Sequence, residues 1–222
     1  MKQFKSVSIV VGWVLALVLP LGLGGCGEDD ATPLEPAAGL TLDSESLYNG
    51  GLWGLGFGRC RNLDGSADPA GAFDDFQTGQ MITARYTGVL SQLRLPIRNL
   101  DGATEPVELQ LRMLQNGIRP EPDDGLVLGA VSLPASAFVG VLPDNPQTWA
   151  TFDVSAIGLE LAPGRKYCFT VSTADTLGFV YSVEMTMNYS RGSAFRRNRA
   201  FTAEWTEIVT GDLGFQAYVD VR

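Results

Sequence analysis

Short stretches in which apolar and polar residues alternate recur along this chain, and turn residues separate them. The segment Val107–Met113 has an apolar residue at every second position. This period places alternate side chains on opposite faces of a β-strand, whereas a helix needs apolar residues three and four positions apart. The pattern predicts strands over residues 80–86, 89–98, 107–113, 126–133, 149–154, 167–172, 179–189 and 213–221. Such a series, with no helical pattern of ten residues after the first 26, is typical of an all-β sandwich or barrel.

Proline and glycine modify this prediction at two places. Pro96 interrupts the second stretch, and because proline donates no ladder hydrogen bond, we expect an edge position or a bulge there. The glycine-rich segment Leu40–Arg61 is interpreted as a strand or a pair of strands, with glycines where another segment packs closely. The 222 residues, 45% of them hydrophobic, suffice for one domain with its own core.

Composition excludes several functions. The chain has no histidine, which removes histidine-containing catalytic triads, histidine-ligated zinc and histidine pH switches. Its formal net charge is −9, and nucleic-acid binding requires clustered Lys and Arg, so nucleic acid is not an expected partner. No G-x-S-x-G elbow is present, and no spacing ties two carboxylates together for glycoside hydrolysis. We therefore expect a protein that is not an enzyme.

The first 25 residues have the parts of a secretory signal peptide. Lys2 and Lys5 precede an apolar stretch, which ends in Leu-Gly-Gly before Cys26. This ending resembles the bacterial lipobox, in which cleavage occurs before a diacylated cysteine, and it implies that Cys26 carries the lipid. The alternative is an uncleaved transmembrane helix, which is marginally long enough but has Pro20 and several glycines near its end.

Residues 26–39 are expected to form an extended tether after the lipidated cysteine. They contain Glu28, Asp29, Asp30, two prolines and few apolar residues, a composition typical of solvated linkers. Gly27 stands where an aspartate would resemble an inner-membrane retention signal, which favours the outer membrane. The folded part is then 40–222, with a glycine-rich N-terminal segment at 40–75 and the body at 76–222.

Two cysteines remain after Cys26, in a compartment that permits disulfides. We predict one structural bridge between Cys60 and Cys168, pinning the glycine-rich segment onto the body. Two separate buried thiols are the alternative.

The order of several short motifs resembles the choice-of-anchor R domain, a family of bacterial cell-surface domains. The matching stretches are Phe76–Gly79, Val107 to Leu111, Leu126 to Gly129, Leu159 to Tyr167 and Asp212–Phe215. The resemblance implies an antiparallel β-sandwich of the jelly-roll type, similar in shape to carbohydrate-binding modules. It implies no particular ligand, because a fold does not fix a function.

Two stretches and one aromatic residue are candidate binding sites. Asp64, Ser66 and Asp68 offer oxygen ligands of the kind that Ca²⁺ prefers, without the spacing of an EF-hand; a solvated loop is the alternative. Trp205 is the best candidate for an exposed ring that stacks on a sugar. The basic stretch contains four arginines that either grip an anionic sugar or phosphate or, as we favour, pair with the chain's own acidic residues. They are Arg191, Arg196, Arg197 and Arg199.

These observations predict a lipid-anchored, non-catalytic β-sandwich that binds a glycan or another envelope ligand. A structural lipoprotein that contacts an envelope protein through an edge strand or a flat face is the alternative. A glycoside-active enzyme is a distant third.

Overall fold

The structure is a computed structural model that describes residues 39–47, 54–60, 74–100, 102–114, 122–142, 144–174, 181–186, 189–200, 202, 204–209 and 211–222. At 54, 56, 58–60, 74 and 122–125 it describes the backbone alone. The chain divides into the units Met1–Thr32 and Pro33–Arg222, and every described residue belongs to the second. The predicted signal peptide, Cys26 and the calcium candidates Asp64, Ser66 and Asp68 lie outside the described residues.

The fold is an antiparallel β-sandwich, as the alternating pattern predicts. Its smaller sheet has the strand order β1-β15-β4-β8, with β9 also paired to β4. The bounds of these strands are β1 Leu40–Ser46, β4 Gly88–Leu95, β8 Ala150–Asp153, β9 Glu160–Leu161 and β15 Phe215–Val221.

The larger sheet has the strand order β14-β11-β2-β3-β10-β6-β7. Strand β12 pairs with β3 and with β13, and β5 pairs with β11. The bounds of these strands are β2 Gly54–Cys60, β3 Asp74–Thr83, β5 Ile97–Asn99, β6 Val107–Leu114, β7 Pro122–Leu133, β10 Lys166–Thr173, β11 Tyr181–Thr186, β12 Ala194–Asn198, β13 Thr206–Ile208 and β14 Asp212–Leu213.

Helical structure within the described residues is confined to three 3₁₀ turns, at Ala135–Phe138, Pro146–Thr148 and Ser155–Ile157. No helix in the described ranges has the length and apolarity that crossing a membrane requires.

The core lies between the two sheets. Phe169 of the larger sheet meets Phe215 of the smaller one edge to face, with ring centroids 5.9 Å apart. Phe138, from the first 3₁₀ turn, contacts Phe152 on one side and Tyr181 on the other. These rings belong to one buried apolar cluster that draws on both sheets. Burial of their apolar surface is the main force holding the sheets together.

The chain passes between the sheets at two neighbouring points. Pro96 separates β4 of the smaller sheet from β5 of the larger, and Gly214 separates β14 from β15. A Cβ at Gly214 would lie 2.7 Å from Pro96 Cγ, so only glycine permits this contact. The prediction of an edge or a bulge at Pro96 was therefore wrong: β4 lies between β15 and β8, and the proline marks a corner where a strand changes sheet.

The glycine-rich segment is a pair of strands, one in each sheet. Strand β1 pairs with β15, and β2 pairs with β3 and β11. Ladder hydrogen bonds of both sheets hold it in place.

The predicted bridge between Cys60 and Cys168 was wrong. Cys168 is a buried free thiol whose Sγ lies 3.2 Å from the Phe169 carbonyl oxygen. Cys60 of β2 lies opposite Asp74 of β3, and Cys168 of β10 lies opposite Met81 of the same strand, seven positions further along. Seven positions in a strand span about 23 Å. A disulfide requires Cα atoms within about 7 Å, so these two cysteines cannot meet.

Candidate functional site

An open cleft of about 500 Å³ lies beside the end of the larger sheet. One wall is the turn from Tyr189 to Ser193, and the other is the segment from Glu207 to Asp212. Ile208 and Val209 add apolar surface, and Val209 is 86% exposed. Concave sites that combine apolar surface with a few converging polar groups are typical of small-molecule binding.

Asp212 is the buried carboxyl of this cleft, 8% exposed. Gln80 Nε2 donates a hydrogen bond to Asp212 Oδ1 over 3.2 Å. The same Gln80 side chain accepts a bond from the Leu213 amide at 2.8 Å. Because Gln80 is fully buried and bonded at both its oxygen and its nitrogen, it fixes the position of the Asp212 carboxyl.

Burial raises the pKa of Asp212 above its ordinary value of 3.8. The hydrogen bonds from Gln80 and from the Tyr189 backbone oppose this rise, since they favour the charged form. A carboxyl with a raised pKa at a cleft is the type of group that functional sites often contain.

Tyr189 fixes the opposite wall. Its hydroxyl accepts a hydrogen bond from the Thr83 amide at 3.0 Å, and its ring meets Phe215 edge to face at 4.9 Å. Burial raises the pKa of Tyr189, so the hydroxyl stays protonated at neutral pH. These contacts hold Tyr189 in one position at the cleft.

A network of hydrogen bonds connects this wall to β1 and to the turn after β3. Arg191 Nη2 donates to Ser44 Oγ at 2.9 Å, and Ser44 Oγ donates to Asp43 Oδ2 at 2.8 Å. Asp43 Oδ1 accepts hydrogen bonds from the backbone amides of Arg85 and Tyr86, at 2.7 and 2.9 Å. Asp43 lies at a bulge of β1, and the irregular register there is consistent with its burial beside the turn after β3.

The four arginines of the basic stretch do not form one open patch. Arg197 donates from Nε and Nη2 to Gln77 Oε1 at 2.8 and 2.6 Å, and Arg199 pairs with Asp75 at 2.8 Å. The guanidinium of Arg196 lies 3.7 Å from the centre of the Phe76 ring. With Arg191 bonded to Ser44, each arginine has a partner in its own chain. Arg199 is paired with an acidic residue, as the favoured interpretation expects, whereas Arg191 and Arg197 donate to the neutral Ser44 and Gln77. The stretch includes strand β12, which the sequence pattern did not predict.

Trp205 is not an exposed platform, so that prediction was wrong. It is 6% exposed and packs with Met81 and Phe195 in a small second cluster. The Arg197 guanidinium lies 4.5 Å from the centre of its ring. The residues next to Trp205 in the sequence are polar, and they did not indicate that Trp205 packs against β3 and β12. Trp149 and Tyr167, by comparison, are core residues, 2% and 1% exposed.

The sequence did not indicate Asp212 and Gln80 as site residues, nor that Tyr189 lies beside them. No spacing links them, because β3, β14 and the turn after β11 meet only in the folded sheet. Among the described residues, no group of three or more acidic or cysteine side chains is placed to hold a metal ion.

In comparisons with known proteins, no protein-family model matches this chain and no curated protein matches it. The class that the fold defines is the antiparallel β-sandwich.

Proposed function

We propose that this chain is an exported lipoprotein, anchored through Cys26 in a bacterial membrane, whose sandwich binds a hydroxyl-rich envelope ligand such as a glycan. The leader and its Leu-Gly-Gly-Cys ending support the anchor. Gly27 favours the outer membrane as its location. Two or more acyl chains hold a protein stably at a membrane, so the anchor needs no further membrane contact.

The Asp212 cleft carries the binding part of this proposal. Carboxylates at Asp212 and Glu207 and the hydroxyl of Ser193 accept hydrogen bonds from sugar hydroxyls. Tyr189, Ile208 and Val209 offer apolar surface to the ring carbons. No Lys or Arg is among the described residues that line the cleft, so it favours a neutral ligand over an anionic one.

Binding of the full-length lipidated protein, in detergent micelles, to a panel of envelope and plant polysaccharides tests this function. For a glycan that the wild type binds on this panel, Asp212→Asn should weaken binding by about 10-fold or more. The reason is that a hydrogen bond to a charged group contributes about 1.5–3 kcal/mol. Glu160→Gln, at an exposed residue of the smaller sheet, is the matched control and should bind normally. Equal binding by Asp212→Asn would contradict the assignment of the cleft. Release of reducing sugar would instead support a glycoside-active enzyme.

Strand β7 supports the alternative, a structural lipoprotein with a protein partner. It ends the larger sheet, and within the described residues it pairs only with β6. Its stretch Leu126–Leu133 has no charged residue, and Leu126 and Val127 are 52% and 43% exposed. An uncharged edge strand is a template for strand addition by a partner. Crosslinking from a cysteine introduced at Ser132, with no glycan bound on the panel, would favour this function.

A further inference from the structure

Arg94 is a buried cation without a described counter-ion. Its side chain lies on the outer face of the smaller sheet, because the neighbouring Leu93 and Leu95 point into the core. It is 4% exposed. Its described hydrogen bond runs from Nη2 to the Gln147 carbonyl oxygen at 3.1 Å, and Nε has no partner.

Thr151 places a second unpartnered polar atom beside this guanidinium. It is the direct cross-strand neighbour of Arg94 in the pairing of β4 with β8. Directly opposed residues share a face, with Cβ atoms about 5 Å apart. The buried Thr151 Oγ1 also has no hydrogen-bond partner. Two unpartnered groups therefore lie side by side on one face.

No other described neighbour of Arg94 forms an ion pair with it. Gln216 lies opposite on β15, and its Nε2 donates to Glu45 Oε2 on β1 at 3.3 Å. Glu45 lies two strands from Arg94, about 10 Å at ordinary strand spacing. Arg98 differs here, because its Nη2 lies 2.5 Å from the Glu184 carboxylate.

An unpaired buried guanidinium is costly, and arginine cannot escape the cost by losing its proton. Native proteins pair such groups with protein atoms, water or ions, so an orphaned donor on a buried cation is a candidate contact for an anion. We propose that Arg94 and Thr151 form a binding site for a carboxylate, which accepts hydrogen bonds from Arg94 Nε and Thr151 Oγ1.

Charge and shape favour a carboxylate over phosphate or sulfate. The planar guanidinium matches a planar carboxylate. The chain carries net charge −9, which disfavours a doubly charged anion more than a singly charged one.

A groove beside the site suggests a larger ligand. It measures about 340 Å³, and Gln92 and Asp153, the next cross-strand pair on the same face, line it. Two residues along a strand span about 7 Å, close to the size of a sugar ring. The carboxylate therefore belongs either to a small organic acid or to an acidic sugar, whose hydroxyls reach the groove.

Thermal unfolding of the full-length protein in acetate, D-glucuronate, D-glucose and chloride tests the site. At ten times its dissociation constant, a carboxylate should raise the melting temperature by about 3–6 °C above the chloride value. D-glucose, which lacks the carboxylate, should not. A larger shift with glucuronate than with acetate identifies the acidic sugar, and equal shifts identify the free acid.

Arg94→Gln should abolish this carboxylate-specific shift, and Arg222→Gln, at an exposed arginine, should retain it. If Arg94→Gln does not fold, Thr151→Val keeps the cation and should at least halve the shift. A shift that Arg94→Gln or Thr151→Val leaves unchanged overturns the proposal, as does a wild type that responds equally to chloride and both carboxylates. The site differs from the Asp212 cleft, so Asp212→Asn should leave this shift intact even if the proposed glycan function fails.

Discussion

The Gln80 carboxamide lies 3.2 Å from the Asp212 carboxylate and holds it at the cleft from a fully buried position. A polar core residue thus sets the geometry of the group on which the proposed function depends. Gln80 also bonds the next residue of β14, Leu213, so one buried side chain contacts both residues of that strand.

The first prediction concerns pH. Because burial raises the pKa of Asp212 in the folded state, the folded protein binds this proton more tightly than the unfolded chain. The stability that Asp212 contributes is present below about pH 3.8 and is lost as pH rises through the raised pKa. Urea unfolding across pH should show wild type losing stability relative to Asp212→Asn as pH rises from about 4.

Asp153→Asn is the matched control for that series, with the opposite sign. Hydrogen bonds from the Ser155 hydroxyl and amide lower the pKa of Asp153, so its contribution is lost as pH falls. A pH-independent difference between wild type and Asp212→Asn would contradict the raised pKa.

Gly192→Ala should destabilise the protein and distort the cleft. A Cβ at this position would lie 1.9 Å from the Met81 carbonyl oxygen and 2.6 Å from Tyr189 Cε1. Overpacking of this kind costs about 1–3 kcal/mol, which chemical denaturation measures directly. Gly140→Asn is the control, because Gly140 has φ +77° and open space around it, and asparagine tolerates that backbone. Equal stability of the two variants would be the contrary result.

Reducing agent should leave the melting temperature unchanged. Cys168 is a free thiol, and burial raises its pKa, so the reactive thiolate is not formed at neutral pH. Iodoacetamide should modify Cys168 in urea without prior reduction and leave it intact in the native protein, as peptide mass spectrometry would reveal. A Cys168 peptide that is modified only after reduction would restore a disulfide.

Trp205→Ala should cost about 3 kcal/mol in the free energy of unfolding, since it empties a packed site between Phe195 and Met81. Trp205→Phe should cost clearly less, because Trp205 Nε1 makes no described hydrogen bond that phenylalanine would lose. Glycan binding of the folded Trp205→Phe variant should match wild type. A folded variant that loses glycan binding would return Trp205 to the binding site.

Cys26→Ser should abolish acyl labelling and leave the precursor uncut or mislocalised. In the proposed anchor the lipid is attached to the thiol at the end of the Leu-Gly-Gly-Cys motif, and serine has no thiol. Metabolic labelling with a fatty-acid analogue, followed by membrane fractionation, measures both effects. Normal labelling of Cys26→Ser would refute the anchor.

Local pattern was sufficient to predict most strands. Val107–Met113 became β6 and Tyr167–Ser172 became β10 with small changes at their ends, because half-buried strands must alternate. Strand β12 escaped prediction, because Arg196 and Arg197 interrupt the apolar pattern. In the fold, the guanidinium groups of Arg196 and Arg197 lie over the rings of Phe76 and Trp205. Long charged side chains can cover apolar surface in this way, which a pattern of polarity alone does not reveal.

The sequence by itself determined the all-β class, since alternation and turn residues act over a few neighbouring positions. Only the tertiary structure decided which strands pair and what each side chain meets. Strand pairing put Cys60 and Cys168 opposite positions of β3 that lie seven residues apart. The tertiary structure brought Asp212 within hydrogen-bond distance of Gln80, 132 positions away in the chain. It also gave partners to the arginines that are clustered in the chain and left Arg94 without a described counter-ion. Pairing register and burial are sums over distant segments, and no local pattern contains them.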